Sequence, residues 1–222
     1  MNYFLEKDKM NKKHFPPKFE TRLDRHEVNY AGTSNEQDNR DHYRRLMETF
    51  KTVNPNTDNS KAIVLGSGAG YGCFYLAMNG FNGAIMGEEL DPVSVEVSKT
   101  LKNYFGHEEV QRRFMQKGLR STKDFVMNLV MMKMPIAPLE KIELLRRDIT
   151  QFDENPRNFD LIVCDFIHTP EFLGERGADN LSLRLHDLSR KGTVLSYRYG
   201  TEKDKIEKLG FLQVEPDIFQ RE

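Results

Sequence analysis

Tryptophan is absent from this 222-residue chain, and cysteine occurs only at Cys73 and Cys164. Both cysteines lie in apolar segments that we expect to be buried, which argues against a disulfide framework. Buried free thiols are typical of a reducing compartment. The sequence gives no support for a metal site, and none is predicted.

Long hydrophobic runs and a charge excess are also missing. No apolar run approaches the roughly 20 residues that cross a bilayer, and the first fifteen residues, MNYFLEKDKMNKKHF, lack the apolar core of a signal peptide. The 33 basic and 34 acidic residues nearly balance, so total charge indicates neither a membrane nor a nucleic acid as partner. We therefore expect a soluble intracellular protein, cytoplasmic or nuclear, in which nucleic-acid contact is possible only through local patches.

The most informative segment is 62–91, which reads as an apolar strand, a glycine turn, a helix and a second strand ending in acids. Four glycines follow the first strand at alternate positions: Gly66, Gly68, Gly70 and Gly72. Such glycines let the backbone turn sharply and approach a ligand. Glu88 and Glu89 fall at the carboxyl end of the second strand, where open α/β sheets bind ligands. The segment therefore predicts a nucleotide-binding half-fold.

The glycine spacing narrows the choice of nucleotide. A dinucleotide fingerprint requires G-x-G-x-x-G, but the third glycine position falls on Tyr71. A P-loop is excluded as well, because no Gly-Lys-Ser or Gly-Lys-Thr follows the glycines. The pattern present is G-x-G-x-G, which disfavours a nicotinamide-dependent reductase.

With this motif the chain resembles the class I S-adenosylmethionine-dependent methyltransferases, whose first strand ends in G-x-G-x-G and whose second ends in an acid. Two later segments extend the resemblance: IELLRRD at 142–148 and FDLIVCDF at 159–166 look like the third and fourth strands. The resemblance implies an α/β fold with a doubly wound, mostly parallel sheet and helices on both faces. It also implies S-adenosylmethionine as cofactor.

The resemblance implies a set of cofactor-binding positions at the strand ends. By this resemblance, Glu89 is expected to hold the ribose hydroxyls of the cofactor and Asp148 to face its adenine. The full set is Leu65, Gly66, Ser67, Gly68, Gly70, Glu89, Leu90, Asp148, Ile149 and Asp165. One departure stands at Val64, because the family commonly has an acid there that helps to hold the methionine end of the cofactor.

Methyl transfer from a sulfonium is an in-line displacement, so the protein mainly positions the acceptor and the cofactor. The predicted catalytic residues are Asp165, Phe166 and Tyr197, near the ends of the fourth and fifth strands. Tyr199 and His168 are further polar candidates, although a lone loop histidine is more typical of a surface position. Asp165 is the best placed of these, because it directly follows a buried strand.

The methyl acceptor is suggested only by a narrower resemblance. Amino-directed nucleic-acid methyltransferases carry Pro-Pro and an aromatic after the fourth-strand acid, and this chain does not. The layout is instead similar to the non-SET histone lysine methyltransferases of the disruptor-of-telomeric-silencing type. Their motifs resemble Leu-Gly-Ser-Gly at 65–68, Cys-Asp-Phe at 164–166, Gly-Thr-Val-Leu-Ser at 192–196 and, faintly, Tyr-Ala-Gly-Thr-Ser at 30–34. A protein acceptor, with lysine as the target, is therefore the leading hypothesis. The alternatives are a catalytically silent binding scaffold and a small-molecule methyltransferase.

The chain is expected to divide into a charged arm at 1–29 and one methyltransferase-like domain at 30–222. A helix capped by Ser34 or Asn35 runs to about Phe50, and a methionine-rich helical insertion occupies 106–141. Lys191 and Gly192 are expected to end a helix before a fifth strand at 193–199. A sixth strand follows at 211–214, and little room remains for a seventh.

Overall fold

The computed structural model describes residues 36–68, 70–105, 137–152, 158–165, 170–198 and 200–222. The helices in this part of the chain are α1 (Glu36–Val53), α2 (Tyr71–Met78), α3 (Pro92–Phe105), α4 (Ala137–Glu140), α5 (Pro170–Leu188) and α6 (Lys203–Lys208). The strands are β1 (Lys61–Leu65), β2 (Ala84–Glu89), β3 (Ile142–Arg146), β4 (Phe159–Val163), β5 (Ser189–Ser196), β6 (Phe211–Glu215) and β7 (Ile218–Arg221).

The strands form one sheet in the order β3-β2-β1-β4-β5-β7-β6. The first five pair in parallel, whereas β7 runs antiparallel to both β5 and β6. The strand order reverses at β1, which puts the carboxyl ends of β1 and β4 at the topological switch point where such sheets bind ligands. The expected α/β fold with a mostly parallel sheet is thus confirmed.

Alternating residues of the central strands pack into two cores, one on each face of the sheet. On β1, Ala62 and Val64 face the core built with α1 and α2, while Ile63 and Leu65 face the core built with α5. This period of two is what a strand buried on both faces requires. We call the α1 and α2 side the first face and the α5 side the second face.

Helix α1 covers the first face, as its sequence pattern predicts. Tyr43, Leu46, Met47 and Phe50 recur at helical spacing and are all buried in the first core. Tyr43 stacks on Tyr75 of α2, with ring centroids 5.1 Å apart. The helix therefore brings its residues over the carboxyl ends of the strands.

Two expectations about the carboxyl-terminal half are wrong. A seventh strand does exist, because the two residues Pro216 and Asp217 suffice to turn the chain between β6 and β7. The predicted helix end at Lys191 and Gly192 is also incorrect: α5 ends at Leu188 and both residues lie within β5. Gly192 has φ 86° and lies where the pairing of β4 with β5 shifts register. A glycine is therefore required at this position by the irregularity of β5 and not by the end of a helix.

Several predictions fall outside the described residues. They are the arm at 1–29, the motif at 30–34 with the caps Ser34 and Asn35, the insertion at 106–136, and Phe166, His168 and Tyr199. Both cysteines are confirmed as buried free thiols.

Candidate functional site

The glycine turn after β1 adopts backbone conformations that favour glycine. Gly66, Gly68 and Gly70 have φ values of 65°, 54° and 85°. The turn is held by two backbone bonds: the Ser67 N–H donates to the Glu88 carbonyl and the Gly70 N–H to the Ser67 carbonyl, both at 2.8 Å. The spacing of glycines in the sequence thus corresponds to a fixed loop that leads into α2.

Glu89 ends β2 directly beside this turn. Its Oε2 accepts the Gly68 N–H at 2.9 Å, and its Oε1 accepts the Asp91 N–H at the same distance. Each carboxylate oxygen has a second lone pair, so both can still accept a bond from a ligand hydroxyl. The structure therefore brings together three of the predicted cofactor positions, Gly66, Gly68 and Glu89.

The neighbouring Glu88 points to the second face and is fully buried there. Its Oε2 lies 2.7 Å from Nη1 of Arg184 on α5, and its Oε1 accepts a bond from Arg184 Nη2 at 2.9 Å. Arg147, the residue directly after β3, has its Nη1 3.6 Å from Glu88 Oε1. Arg184 also donates to the Ile149 carbonyl at 3.0 Å, so this ion pair ties β2 and the segment after β3 to α5.

The other predicted cofactor positions have mixed surroundings. The Asp148 carboxylate accepts bonds from the Thr150 N–H and hydroxyl at 2.9 and 2.8 Å, in a local turn after β3. Leu90 is exposed beside Glu89, which leaves its side chain accessible. Leu65 and Ile149 are buried in the second core, so only their backbone is available to a ligand at the strand ends.

Asp165 lies two residues beyond β4 and is buried on the first face. Its Oδ1 accepts the Ser196 hydroxyl at 2.7 Å and the Arg198 N–H at 3.2 Å. Its Oδ2 is also buried, yet it accepts no hydrogen bond from any residue in the described ranges. A buried carboxylate oxygen without a donor is costly, which marks this atom as one that a ligand can satisfy.

His42 of α1 completes the surroundings of Asp165. Its Nε2 lies 2.7 Å from the Ser196 hydroxyl oxygen and 3.9 Å from Asp165 Oδ2. Because the Ser196 hydroxyl has one hydrogen and gives it to Asp165, His42 must be the donor in its contact with Ser196. Burial lowers the pKa of His42; Asp165 opposes the shift and Arg198 adds to it. His42 is therefore neutral at neutral pH and does not balance the charge of Asp165.

A cleft opens at the carboxyl ends of β1, β4 and β5 on the first face, and we call it the strand-end cleft. Among the residues that line it are Tyr43, Val64, Gly66, Ser67, Asp165 and Arg198. Arg198 is 5% exposed and Asp165 8%. The glycine turn and two buried charged residues, Asp165 and Arg198, thus line the same cleft. Arg198 Nη1 donates to the Asp38 carbonyl of α1 at 3.5 Å.

Val64, where the family resemblance implies an acid, forms part of the apolar wall of this cleft. The chain packs closely around it: a Cβ at Gly72 would lie 2.8 Å from the Tyr43 hydroxyl oxygen and 2.9 Å from Val64 Cγ1. Gly72 is therefore required by the approach of α2 to α1 and β1, which is a packing reason rather than a ligand contact.

Tyr197, a predicted catalytic residue, lies on the opposite face from Asp165. It is buried in the second core, packs edge-on against Phe219, and its hydroxyl accepts the Glu202 N–H at 3.2 Å. Burial raises the pKa of its phenol. The structure does not bring Tyr197 to the strand-end cleft, and its contacts are those of a packed core residue.

Sequence reasoning missed three polar residues near the site: His42, Ser196 and Arg198. Strand alternation offered a signal for two of them, because residues 196 and 198 must lie on the same face as Val194 and opposite Tyr197. No comparable signal marked His42, since its partners are 123 and 154 residues away along the chain (165 − 42 and 196 − 42).

Comparisons with known proteins identify the fold. No protein-family model matches the chain, and no curated protein sequence matches it either. A TehB-like SAM-dependent methyltransferase from Corynebacterium glutamicum aligns over 94% of this chain and 100% of its own, with a TM-score of 0.52 and 14% identity. A putative sarcosine dimethylglycine methyltransferase from Galdieria sulphuraria aligns over 78% of this chain and 60% of its own, with a TM-score of 0.51 and 12% identity.

Matches at these identities show the fold, and the chain has the class I SAM-dependent methyltransferase fold. They do not bear on the narrower resemblance to the histone lysine methyltransferases, which stays a prediction. Within the ranges that the structure describes, no helix is long and apolar enough to cross a membrane. The same residues hold no group of three or more side chains arranged to ligate a metal.

Proposed function

We propose that this protein is an S-adenosylmethionine-dependent methyltransferase. The observation that carries the proposal is the joined arrangement of the glycine turn, the Glu89 carboxylate and the strand-end cleft at the switch point of the sheet. Asp165, which lines that cleft, has an Oδ2 that accepts no hydrogen bond from the residues the structure describes, and this oxygen fits a cationic group of the cofactor. When bound, the cofactor supplies an electrophilic methyl group.

The chain's own residues have positioning roles in this proposal. Glu89 accepts the ribose hydroxyls, and the positive-φ turn from Gly66 to Gly70 lets the backbone approach the cofactor closely. Asp148, at the end of the next parallel strand, is proposed to face the adenine. Holding two reactants in line can account for a large part of the rate enhancement of a displacement.

The acceptor is proposed to be a protein, with a lysine side chain as the target. This finer assignment rests on the short motif similarities at 65–68, 164–166 and 192–196. A small-molecule acceptor is the alternative class. A catalytically silent scaffold is the other alternative, and it is motivated by Val64, whose side chain cannot replace a carboxylate.

Transfer of a labelled methyl group tests the proposal. The purified chain is incubated with S-adenosylmethionine carrying a labelled methyl group and with separate pools of unmethylated protein, RNA and small metabolites. We expect label in the protein pool, located on lysine by mass spectrometry. Label confined to the metabolite pool would overturn the protein assignment but keep the reaction class.

Gly68→Arg is the matched negative control, because an arginine at φ 54° strains the turn and fills the cofactor position. Glu143→Gln, which changes an exposed residue of β3, controls for the effect of preparing and assaying a variant protein. If the wild type binds the cofactor saturably and yet labels every pool no more than Gly68→Arg does, that result would favour the catalytically silent scaffold.

A further inference from the structure

His42 stands on the buried face of α1, where the other side chains are apolar or aromatic. It lies one helical turn before Leu46 and two before Phe50, and all three residues are at most 1% exposed. An imidazole in such a position costs stability unless its nitrogens keep hydrogen-bond partners. Packing alone does not explain a histidine here, because an apolar side chain would fill the position without that cost.

The hydrogen bonds of His42 lead to Asp165. Its Nε2 lies 2.7 Å from the Ser196 hydroxyl oxygen, and that hydroxyl donates to Asp165 Oδ1 at 2.7 Å. The same nitrogen is 3.9 Å from Asp165 Oδ2. Because the Ser196 hydroxyl has a single hydrogen, the proton of neutral His42 is on Nε2, and Nδ1 is the atom that acid protonates. His42 is thus linked to both oxygens of the carboxylate that is proposed to face the cofactor.

The surroundings of His42 make a second proton costly. Its Nδ1 is buried and forms no hydrogen bond with any residue in the described ranges. The charged groups that act on it are Asp165 after β4, Arg198 after β5, Asp217 in the turn between β6 and β7, and Arg45 on α1 itself. Burial lowers the pKa of His42; the two arginines add to this shift and the two aspartates oppose it. A proton on Nδ1 therefore creates a buried imidazolium beside Asp165.

Protonation of His42 changes what Asp165 offers to a ligand. While His42 is neutral, the Asp165 carboxylate keeps its full negative charge for a cation. An imidazolium 3.9 Å from Oδ2 offsets part of that charge and repels a cation placed there. A cation at Oδ2 in turn disfavours the proton on His42, because coupling between two binding events is reciprocal.

We propose that His42 is a positioning residue that makes cofactor binding depend on pH: neutral His42, through Ser196, keeps Asp165 oriented toward a cationic group of the cofactor, and protonated His42 opposes that group. This inference rests on the proposed function and adds a regulation of the same site. It requires no contact between His42 and the cofactor. The site is expected to hold its cofactor at neutral pH and to release it in acid.

Two ligands separate this effect from a general loss of binding. S-adenosylmethionine carries a sulfonium and an ammonium, whereas 5′-methylthioadenosine keeps the nucleoside and carries neither. Dissociation constants for both are measured by calorimetry from about pH 7.5 to about pH 5.0, a range that spans the ordinary pKa of histidine.

The titrations are made with the wild type and two variants. His42→Gln keeps an amide N–H that can donate to Ser196, but it cannot take up a proton. His186→Gln is the matched control, because His186 also lies beside an aspartate, with Nδ1 3.4 Å from Asp187 Oδ1. Its side chain is 46% exposed near the end of α5 and is not among those that line the strand-end cleft.

The affinity of the wild type for S-adenosylmethionine should fall below about pH 6.5, by up to about tenfold per pH unit, the limit for one linked proton. His42→Gln should bind almost as well as the wild type at neutral pH and lose less affinity in acid. Titrations of the ligand and of the shared carboxylates cancel in the ratio of the two dissociation constants. For 5′-methylthioadenosine that ratio should not change with pH, and His186→Gln should follow the wild type.

Proton release gives a second readout that needs no variant. Calorimetry of the wild type in buffers with different ionisation enthalpies measures the protons that are released on binding. In acid, S-adenosylmethionine should release a proton from His42, by the reciprocal coupling, and 5′-methylthioadenosine should release none. A structural role of His42 alone would not produce this difference between the two ligands.

The outcomes distinguish the inference from the function on which it rests. If the wild type binds S-adenosylmethionine at no pH, the proposed cofactor is wrong and the inference falls with it. If the wild type binds but loses affinity in acid exactly as His42→Gln does, or loses both ligands equally, regulation by His42 is overturned while the cofactor stands. Binding of 5′-methylthioadenosine at neutral pH shows that a variant is folded. If His42→Gln fails this check, His42→Asn is measured in its place, and absence of proton release by the wild type would still overturn the inference.

Discussion

Glu88 and Asp165 are two buried carboxylates at the carboxyl ends of strands in the same sheet, but their surroundings differ. Glu88 faces the second face and is held by Arg184 at 2.7 Å, with Arg147 at 3.6 Å. Asp165 faces the first face, where a neutral histidine lies 3.9 Å from its Oδ2. Neither Glu88 Oε2 nor Asp165 Oδ2 accepts a hydrogen bond from a described residue, so the difference between them is the arginine that lies 2.7 Å from Glu88.

The difference separates a structural charge from one that is available to a ligand. A buried carboxylate that an arginine neutralises stabilises the arrangement of strands and helix around it, and removing one partner leaves an uncompensated charge. A buried carboxylate without such an arginine costs stability until something donates to it. Proximity to the strand ends alone would not distinguish Glu88 from Asp165; their partners do.

The largest expected effect follows from breaking the Glu88 pair. Glu88→Gln keeps the shape but removes the buried carboxylate that lies 2.7 Å from Arg184, whose side chain is 1% exposed, and we expect the free energy of unfolding to fall by about 3–5 kcal/mol. Urea unfolding of the variant measures this loss. The control Glu143→Gln, an exposed glutamate on β3, should change it by no more than about 0.5 kcal/mol. Similar small losses in both variants would contradict the structural role of Glu88.

His42 should make the first face sensitive to acid. Because its pKa is lowered in the folded protein, the unfolded chain binds the proton more readily below the ordinary pKa of about 6.5. The stability that depends on neutral His42 is therefore complete above that pH. It is lost as pH falls toward the lowered pKa, with a slope of up to about 1.4 kcal/mol per pH unit.

The variant His42→Gln isolates this contribution. Its unfolding free energy should depend less on pH between about 7.5 and 5.5 than that of the wild type, because carboxylates shared by the two proteins cancel in the difference. Parallel curves for the two proteins would show that His42 is not buried as described.

Asp165→Asn should have the smallest effect on stability of the three changes. The amide oxygen can still accept from Ser196 and the Arg198 backbone, and the change removes a charge whose second oxygen has no described donor. We expect the free energy of unfolding to change by less than about 1 kcal/mol in either direction. A loss comparable to that of Glu88→Gln would mean that Asp165, too, is a structural charge.

Much of the fold could be predicted from the chain because its signals are local. The apolar strands 62–65 and 159–163, the glycine turn and the helical period of α1 each depend on neighbouring residues, and the structure confirms them. Glu89 could be placed beside the glycine turn for the same reason, since the end of a parallel strand fixes its position. The seventh strand was missed because its connection is only two residues long, with Asp217 at φ 62°.

The contacts that decide the chemistry could not be predicted in this way. Glu88 and Arg184 are 96 residues apart, and His42 and Ser196 are 154 apart. No local pattern distinguishes the arginine that neutralises a buried acid from one on the surface. Tyr197 and Arg198 differ in a way that a local pattern does predict, because alternation along β5 puts Tyr197 on the second face, away from the strand-end cleft.

Calorimetric titration of the purified chain with S-adenosylmethionine tests whether the cofactor binds at the glycine turn and Glu89, with Glu89→Ala and Gly68→Arg measured beside the wild type. We expect saturable binding by the wild type and loss of binding in both variants, while their folded signal in circular dichroism is kept. No detectable heat at millimolar cofactor, or binding that both variants retain, would contradict a cofactor site at the glycine turn and Glu89.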